Sequence, residues 1–360
     1  MRYLLPQQNI LLVRGPNRIR VLEGSASILA AEIQLNHPIL VSAQKQLPIE
    51  ANSDVILELS VRPTATFEVK GSTIPPSWKS AADALVDMRE GKVMVIGDTD
   101  VGKSTLTVFL INRLLRNHVE ICVVDADIGQ AELGPPTTIG SARPLRPITS
   151  LNDLDVRSLL FIGNINPNRV ESKLIEGIRR LSSNNPHSLT IINTDGWIQE
   201  PDAILFKTQM IESTNPDLVL GLAKENELQP ILAASRSESM KVDAARQVLA
   251  RSRSNRREIR AAGYRRALEG GRTRTISLKG FPISFPLGFS SPLGLRAEEL
   301  CNLIVGLVGA NGYLDQIGIF MGMDGDKAQI YCRDATSFHR VEFGHIRLTP
   351  SGHEIGFFSR

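Results

Sequence analysis

Nine consecutive residues constrain this chain more than any others: Gly97-Asp98-Thr99-Asp100-Val101-Gly102-Lys103-Ser104-Thr105. They spell a complete G-x-x-x-x-G-K-S phosphate-binding loop. The flanks agree with it. Lys92-Val93-Met94-Val95-Ile96 is a short apolar run suited to a buried parallel strand, and residues 106–115 carry apolar side chains at helical spacing. Strand, glycine loop and helix in that order commit the segment to an α/β layer, with ligands outside the carboxyl ends of its strands.

The residue types specify chemistry. Gly97 and Gly102 let the backbone turn successive N–H groups towards phosphate oxygens. A helix starting near Lys103 adds the positive end of its dipole. Lys103 is placed to reach the β- and γ-phosphates, and the Ser104 hydroxyl to bind magnesium. The loop therefore specifies a nucleoside triphosphate, without saying what the phosphate is used for.

Bulk composition narrows the field. The chain has 360 residues, 42% of them apolar and 22% charged, with net charge +3. Such a chain builds two or three packed domains and carries no polybasic tail. Basic residues are strongly biased to arginine, which grips phosphate bidentately; codon usage or thermal adaptation explains the same bias. Cys122, Cys301 and Cys332 are scattered, with no zinc-type spacing, and suit a reducing cytosol. Neither a signal segment nor an apolar run of membrane-spanning length is present, so a cytoplasmic location without membrane contact is expected.

Three regions follow one another. Residues 1–83 hold short β-rich runs such as Ile10–Val13, Arg18–Leu22, Ser27–Ala30 and Val55–Leu59, separated by turn residues, and suggest a small sandwich. Pro75-Pro76-Ser77-Trp78 reads as a linker. Residues 84–275 alternate strands and helices. Runs at 119–125, 158–163, 189–194 and 218–222, with a helix at 170–182, suggest a doubly wound parallel sheet. Its final part, about 246–275, is dense in arginine. Residues 276–360 return to short strands, with one apolar helix expected near 296–309. The expected fold class is α/β: a P-loop doubly wound domain between an N-terminal β-sandwich and a C-terminal β-rich α+β domain.

The strand after the loop helix ends in Asp125-Ala126-Asp127-Ile128-Gly129-Gln130. An acidic residue at that position is the usual second magnesium element, a role for Asp125. A second carboxylate two residues on, Asp127, can align an attacking hydroxyl and accept its proton, as a kinase requires. Trp197, at a strand end, serves either as a core aromatic or as a stacking platform for a base. Arg256 and Arg260 lie four apart on one helix face, which reads equally as a solvated basic helix or as a lid over phosphate. Arg253 and Arg257 lie elsewhere on that helix and suit a nucleic-acid backbone.

The phosphate loop, Asp-x-Asp-x-Gly-Gln, Asn193-Thr194-Asp195-Gly196-Trp197 and the arginine segment, in this order, resemble the polynucleotide 5'-hydroxyl kinase family. That family includes the RNA kinase subunit of the pre-mRNA cleavage factor and nucleolar kinases of ribosomal RNA processing. The resemblance covers essentially the whole chain, whose length and sparse decoration are most similar to archaeal members. It implies that residues 129–138 form a clasp over the substrate's 5' end, with Gln130 and Thr138 as binding residues. Where the family often has Pro-Gly-Thr, this chain has Pro136-Thr137-Thr138. The resemblance further implies that Trp197 stacks on the end nucleotide, that Arg256 and Arg260 form the lid, and that Glu23 lies near the adenine.

The expected activity is thus magnesium-dependent transfer of the γ-phosphoryl of ATP, or another nucleoside triphosphate, to the 5'-hydroxyl of RNA or DNA. Two alternatives stand beside it. A regulatory GTPase would carry an Asn-Lys-x-Asp element, and Ala223-Lys224-Glu225-Asn226 lacks both its Asn and its Asp. A silent ATP-binding scaffold in an RNA-processing complex would not need the intact Lys103, Ser104, Asp125, Asp127, Arg256 and Arg260.

Overall fold

The computed structural model describes all residues except 61–65, 184–186, 246, 281, 286–296, 335–337 and 359–360. The chain folds into two compact units. One comprises Met1–Val123, Arg143–Leu154 and Asn185–Ser252; the other comprises Val124–Ala142, Asp155–Asn184 and Arg253–Arg360.

The first unit begins with two antiparallel sheets. One orders Arg2–Leu5, Val55–Leu59, Asn17–Glu23 and Ile39–Val41; the other orders Ala31–Glu32, Ala26–Ile28, Gln46–Ala51, Asn9–Arg14 and Thr66–Lys70. Alternation drives the pairing: Ile19 and Val21 are buried between more exposed arginines, and Val55, Leu57 and Leu59 are buried in a strand of the same period. The phosphate-loop strand, Gly91–Gly97, lies between Leu189–Thr194 and Leu218–Ala223, parallel to both, and Glu238–Asp243 extends the parallel set. Val93, Met94, Val95 and Ile96 are wholly buried, as a strand covered on both faces requires. Helix Lys103–Arg116 buries Leu106, Leu110 and Leu114, one stripe at helical spacing.

The expected linker at Pro75–Trp78 is instead a helix start. Helix Pro76–Met88 opens with Pro76 in its first turn, where a missing N–H costs nothing. Trp78 is fully buried against Phe109, and its indole N–H donates to Asp243 O at 2.8 Å. The diproline signalled a boundary, but that boundary is the entrance of a helix.

In the second unit, Thr138–Ala142 pairs with Val156–Phe161 antiparallel, so the run at 158–163 is not a further parallel strand. The connecting residues hold one short 3-10 turn, Leu151–Asp153, and not the α-helix that usually carries a parallel crossover. The C-terminal sheet orders Arg272–Ser277, Lys327–Cys332, Leu314–Asp324, Leu303–Gly309, Phe338–Leu348 and Ile283–Ser284, with Glu354–Phe357 paired to Phe338–Leu348. The apolar stretch expected as a helix near 296–309 divides into a single turn, Ala297–Leu300, and the buried strand Leu303–Gly309. A short apolar run buried on both faces has no period that separates helix from strand. Helix Arg253–Leu268 packs Tyr264 and Leu268 into a core with Ile304, Ile317, Ile346 and Leu348. Among the described residues no helix is long and apolar enough to cross a membrane.

Candidate active site

The phosphate loop lies in the first unit. Gly102 caps helix Lys103–Arg116 in the left-handed region, at φ +102°, and no side chain caps its first-turn amides. Uncapped amides at a helix start form an anion seat. Gly97 cannot be replaced, because a Cβ there would stand 2.6 Å from Leu222 O. The Lys103 ammonium donates to Gly97 O at 3.0 Å and Asp98 O at 2.7 Å, which folds the side chain over the loop crest. The Ser104 hydroxyl lies 3.4 Å from Asn193 Nδ2, on the neighbouring strand.

A second turn, Asp195–Gln199, is locked onto this loop. Gly196 is packed so closely that a Cβ would lie 2.6 Å from Thr99 N. Gln199 Nε2 donates to Asp98 Oδ2 at 2.6 Å. Asp195 accepts the Trp197 N–H at 2.9 Å on one oxygen and the Lys207 ammonium at 2.7 Å on the other. Asp195 and Lys207 are buried, with side chains 6% and 0% exposed. Trp197 is half-buried, 5.7 Å from the Phe206 ring centre. Asp98, Thr99 and Trp197 thus share one rigid platform. The loop's far side is held by the chain beyond Asp243: Ala245 N donates to Val101 O and Arg251 N to Asp100 Oδ2. Glu23 is exposed at the end of its strand, and its hydrogen bonds with the loop are none among the described residues.

Asp125 and Asp127 lie in the second unit. Asp125 is the buried penultimate residue of strand Ile121–Ala126, and its Oδ2 accepts the amides of Glu132 at 2.7 Å and Leu133 at 3.2 Å. Asp127 Oδ1 accepts the amides of Gly129 and Gln130 at 3.1 and 2.9 Å, a turn that fixes the plane of its carboxylate. Gln130 bends back to donate to Gly129 O, and its Oε1 is buried without a hydrogen-bond partner. Thr138 is buried at a strand start and donates to Pro135 O at 2.7 Å. Thr137, where the family often has glycine, takes φ +73°, the left-handed region that glycine favours. Its backbone repays the strain with three bonds: its N–H to Ile128 O, and its O from the amides of Ile162 and Gly163.

The arginine segment forms helix Arg253–Leu268; Arg246 lies outside the described residues. Arg260 is fixed by a two-pronged ion pair with Glu354, at 2.5 and 2.9 Å, and Arg257 donates to Glu354 O. Burial opposes the Arg260 charge, but Glu354, then Tyr264 and Asp127, hold the guanidinium above its ordinary pKa. Asp127 and Arg260 therefore feel one another's charge within this unit. Burial first, with Glu354, pushes the Tyr264 hydroxyl well above its usual value. Arg256 lies on the same helix, four residues before Arg260. Sequence reasoning missed Lys207, Gln199 and Glu354; each acts through a partner distant in sequence.

A glycine-rich loop between a parallel strand and an uncapped helix start defines a P-loop protein, and a paired-carboxylate turn follows the next strand along the chain. Residues 97–270 match the family model described as mRNA cleavage and polyadenylation factor CLP1 P-loop. The chain is 27% identical over 341 residues to a protein of Pyrococcus horikoshii named polyribonucleotide 5'-hydroxyl-kinase, covering 80% of this chain and 94% of the relative. A protein of Pyrococcus abyssi with the same description is 28% identical over 341 residues, covering 80% and 96%. A CLP1 homologue of Aedes aegypti is 27% identical over 320 residues, covering 78% and 74%. Among solved structures, a chain of the wild-type Clp1p–Pcf11p complex aligns with a TM-score of 0.77 over 96% of this chain and 97% of that one, at 12% identity. That likeness is one of fold.

Proposed function

We propose that the protein is a polynucleotide 5'-hydroxyl kinase, which moves the γ-phosphoryl group of ATP or another nucleoside triphosphate to the 5'-hydroxyl of RNA or DNA. The observation that carries this reading is the Asp127 carboxylate, held flat by two backbone amides and electrostatically coupled to Arg260. A carboxylate fixed in this way can align an attacking hydroxyl and take its proton. The archaeal relatives' description as polyribonucleotide 5'-hydroxyl-kinases supports it.

Each residue then has a task. The amides from Asp98 to Thr105 and the Lys103 ammonium bind the β- and γ-phosphates. Asp127 orients the 5'-hydroxyl and takes its proton as the new P–O bond forms and the bond to the leaving nucleoside diphosphate breaks. Arg256 and Arg260 offset charge on the group in flight, Arg260 by exchanging Glu354 for phosphate oxygens. Trp197 stacks on the end nucleotide, Gln130 and Thr138 shape the clasp around it, and Glu23 lies beside the base of the donor. The hydroxyl of Ser104 and the carboxylate of Asp125 are hard oxygen donors of the kind magnesium takes, and Asp125 is oriented by the amides of Glu132 and Leu133. Bound magnesium would supply charge neutralisation at the phosphates. Segments 1–83, 84–275 and 276–360 serve as base-contacting, catalytic and supporting regions, in a cytoplasmic protein.

Purified protein given γ-labelled ATP, magnesium and a 5'-hydroxyl oligonucleotide is expected to label the oligonucleotide. Nucleotide hydrolysis without label in either RNA or DNA would sink the kinase reading in favour of a GTPase-like activity, and neither would favour the scaffold.

A further inference from the structure

The second unit contains a cavity of about 480 Å³ that none of the roles above uses. Its walls are the first turn of helix Glu171–Ser182, Arg169 just before it, and Arg340, Glu342 and His345 on strand Phe338–Leu348.

Four properties point to an anion. The helix is twelve residues long, begins at Val170 without a side-chain cap, and presents first-turn residues to the cavity. Three cations line it, Arg169, Lys173 and Arg340, against two carboxylates, Glu171 and Glu342. Glu342 is itself buried and committed, bridging Lys173 and Arg340 at 2.7 Å each, which fixes both cations in place. Arg169 meets no carboxylate within ion-pair distance among the described residues. Finally, two buried nitrogens on the wall lack hydrogen-bond partners: His345 Nδ1, on a residue 8% exposed, and Arg340 Nε. A guanidinium nitrogen and backbone amides can only donate, so the missing partner is an acceptor. The ring also senses positive surroundings: burial, then Arg169 and Lys173, hold the His345 pKa below its ordinary value.

The cavity is wired to the clasp. The amides of Ile162 and Gly163 donate to Thr137 O at 2.9 and 3.0 Å, and the His345 amide donates to Gly163 O at 2.7 Å. One peptide segment therefore joins the turn ahead of Thr138 to the cavity wall.

We propose that this cavity is a second phosphate site, which takes an internal phosphodiester of the acceptor strand on the 3' side of the end being phosphorylated. The identity of the strand rests on the kinase reading; the existence of the site does not.

Two experiments on the full chain separate these. Inorganic phosphate, titrated while the histidine ring resonances are followed by NMR, is expected to move the His345 signal saturably in the wild type and weakly in Arg169→Ala. No saturable shift at His345 overturns the site, whatever the protein catalyses. In the transfer assay, Arg169→Ala is expected to raise KM for a long 5'-hydroxyl oligonucleotide about tenfold, the value of one charge-assisted bond, with kcat unchanged. KM for a 5'-hydroxyl dinucleotide should stay as in the wild type. Phosphate binding combined with a KM effect that ignores strand length would overturn the strand assignment and leave a site for free phosphate. A wild type that transfers nothing would remove the kinase reading, and with it the strand, while the phosphate titration still decides the site.

Discussion

Gly196→Ala tests the coupling between the tryptophan turn and the phosphate loop. An added Cβ would stand 2.6 Å from Thr99 N and 2.8 Å from Thr99 Cα, whereas ordinary contact begins at 3.4 Å. Thr99 Cγ2 is also 2.6 Å away, but the N and Cα are backbone, so moving the side chain cannot relieve the clash and one of the two loops must retreat by about 0.8 Å. The Thr99 amide is held by Asp98, and Asp98 by Gln199, so the displacement reaches the crest of the phosphate loop. Misplacing reacting groups by about 1 Å costs about 10²-fold in rate, or about 2.7 kcal/mol of transition-state stabilisation. Overpacking should lower folding stability by a further ~1–3 kcal/mol. The measurement is steady-state transfer with nucleotide and oligonucleotide varied separately, alongside urea unfolding. Gly322→Ala is the control, since a Cβ there meets nothing within 4 Å and should change neither property. Rates within twofold of wild type for Gly196→Ala would refute the idea that the two loops form one rigid platform.

Asp127→Asn should abolish transfer while nucleotide affinity, read by calorimetry, persists; near-normal turnover would remove Asp127 from the base role. Trp197→Ala should weaken apparent oligonucleotide binding by ~1–3 kcal/mol with little change for ATP, and an effect confined to ATP would contradict stacking. Lys207→Met leaves Asp195 charged and buried, and should cost ~3–5 kcal/mol in urea unfolding; a loss below about 1 kcal/mol would show that the pair is not needed. His345, lowered from 6.5 chiefly by burial, stays neutral in the fold while the unfolded chain takes up a proton. Its contribution to stability is full above about pH 6.5 and is lost as pH falls through the lowered value, so His345→Gln should flatten the acid side of the stability profile.

Much of the donor half was legible because it is local. The loop, its strand and its helix are contiguous, and every signal lies within about two dozen residues of Lys103. The parallel strands at 189–194 and 218–223 announced themselves as apolar runs. What escaped was non-local or without period. Leu303–Gly309 is apolar throughout and carries no period that marks a strand. Pro76 signals a break, yet proline is equally suited to a helix's first turn. Lys207 looks like any helical lysine until Asp195 is brought to it, and Glu354 meets Arg260 across 94 residues. The glycine-like geometry at Thr137 is likewise invisible in a threonine; only the three backbone bonds that hold it reveal the need.

The Glu354 clamp has a consequence for how the arginine helix responds to ionic strength. Helix Arg253–Leu268 carries six arginines and a single acidic residue, Glu258, so its exposed guanidinium groups repel one another. Dissolved salt screens that repulsion, while the Arg260–Glu354 pair, 14% and 6% exposed, is sheltered from it. Salt therefore relaxes what strains the helix and spares what anchors it. The same ions compete for any nucleic-acid backbone resting on those arginines. Within one element, fastness of the fold and grip on a polyanion respond to salt with opposite signs.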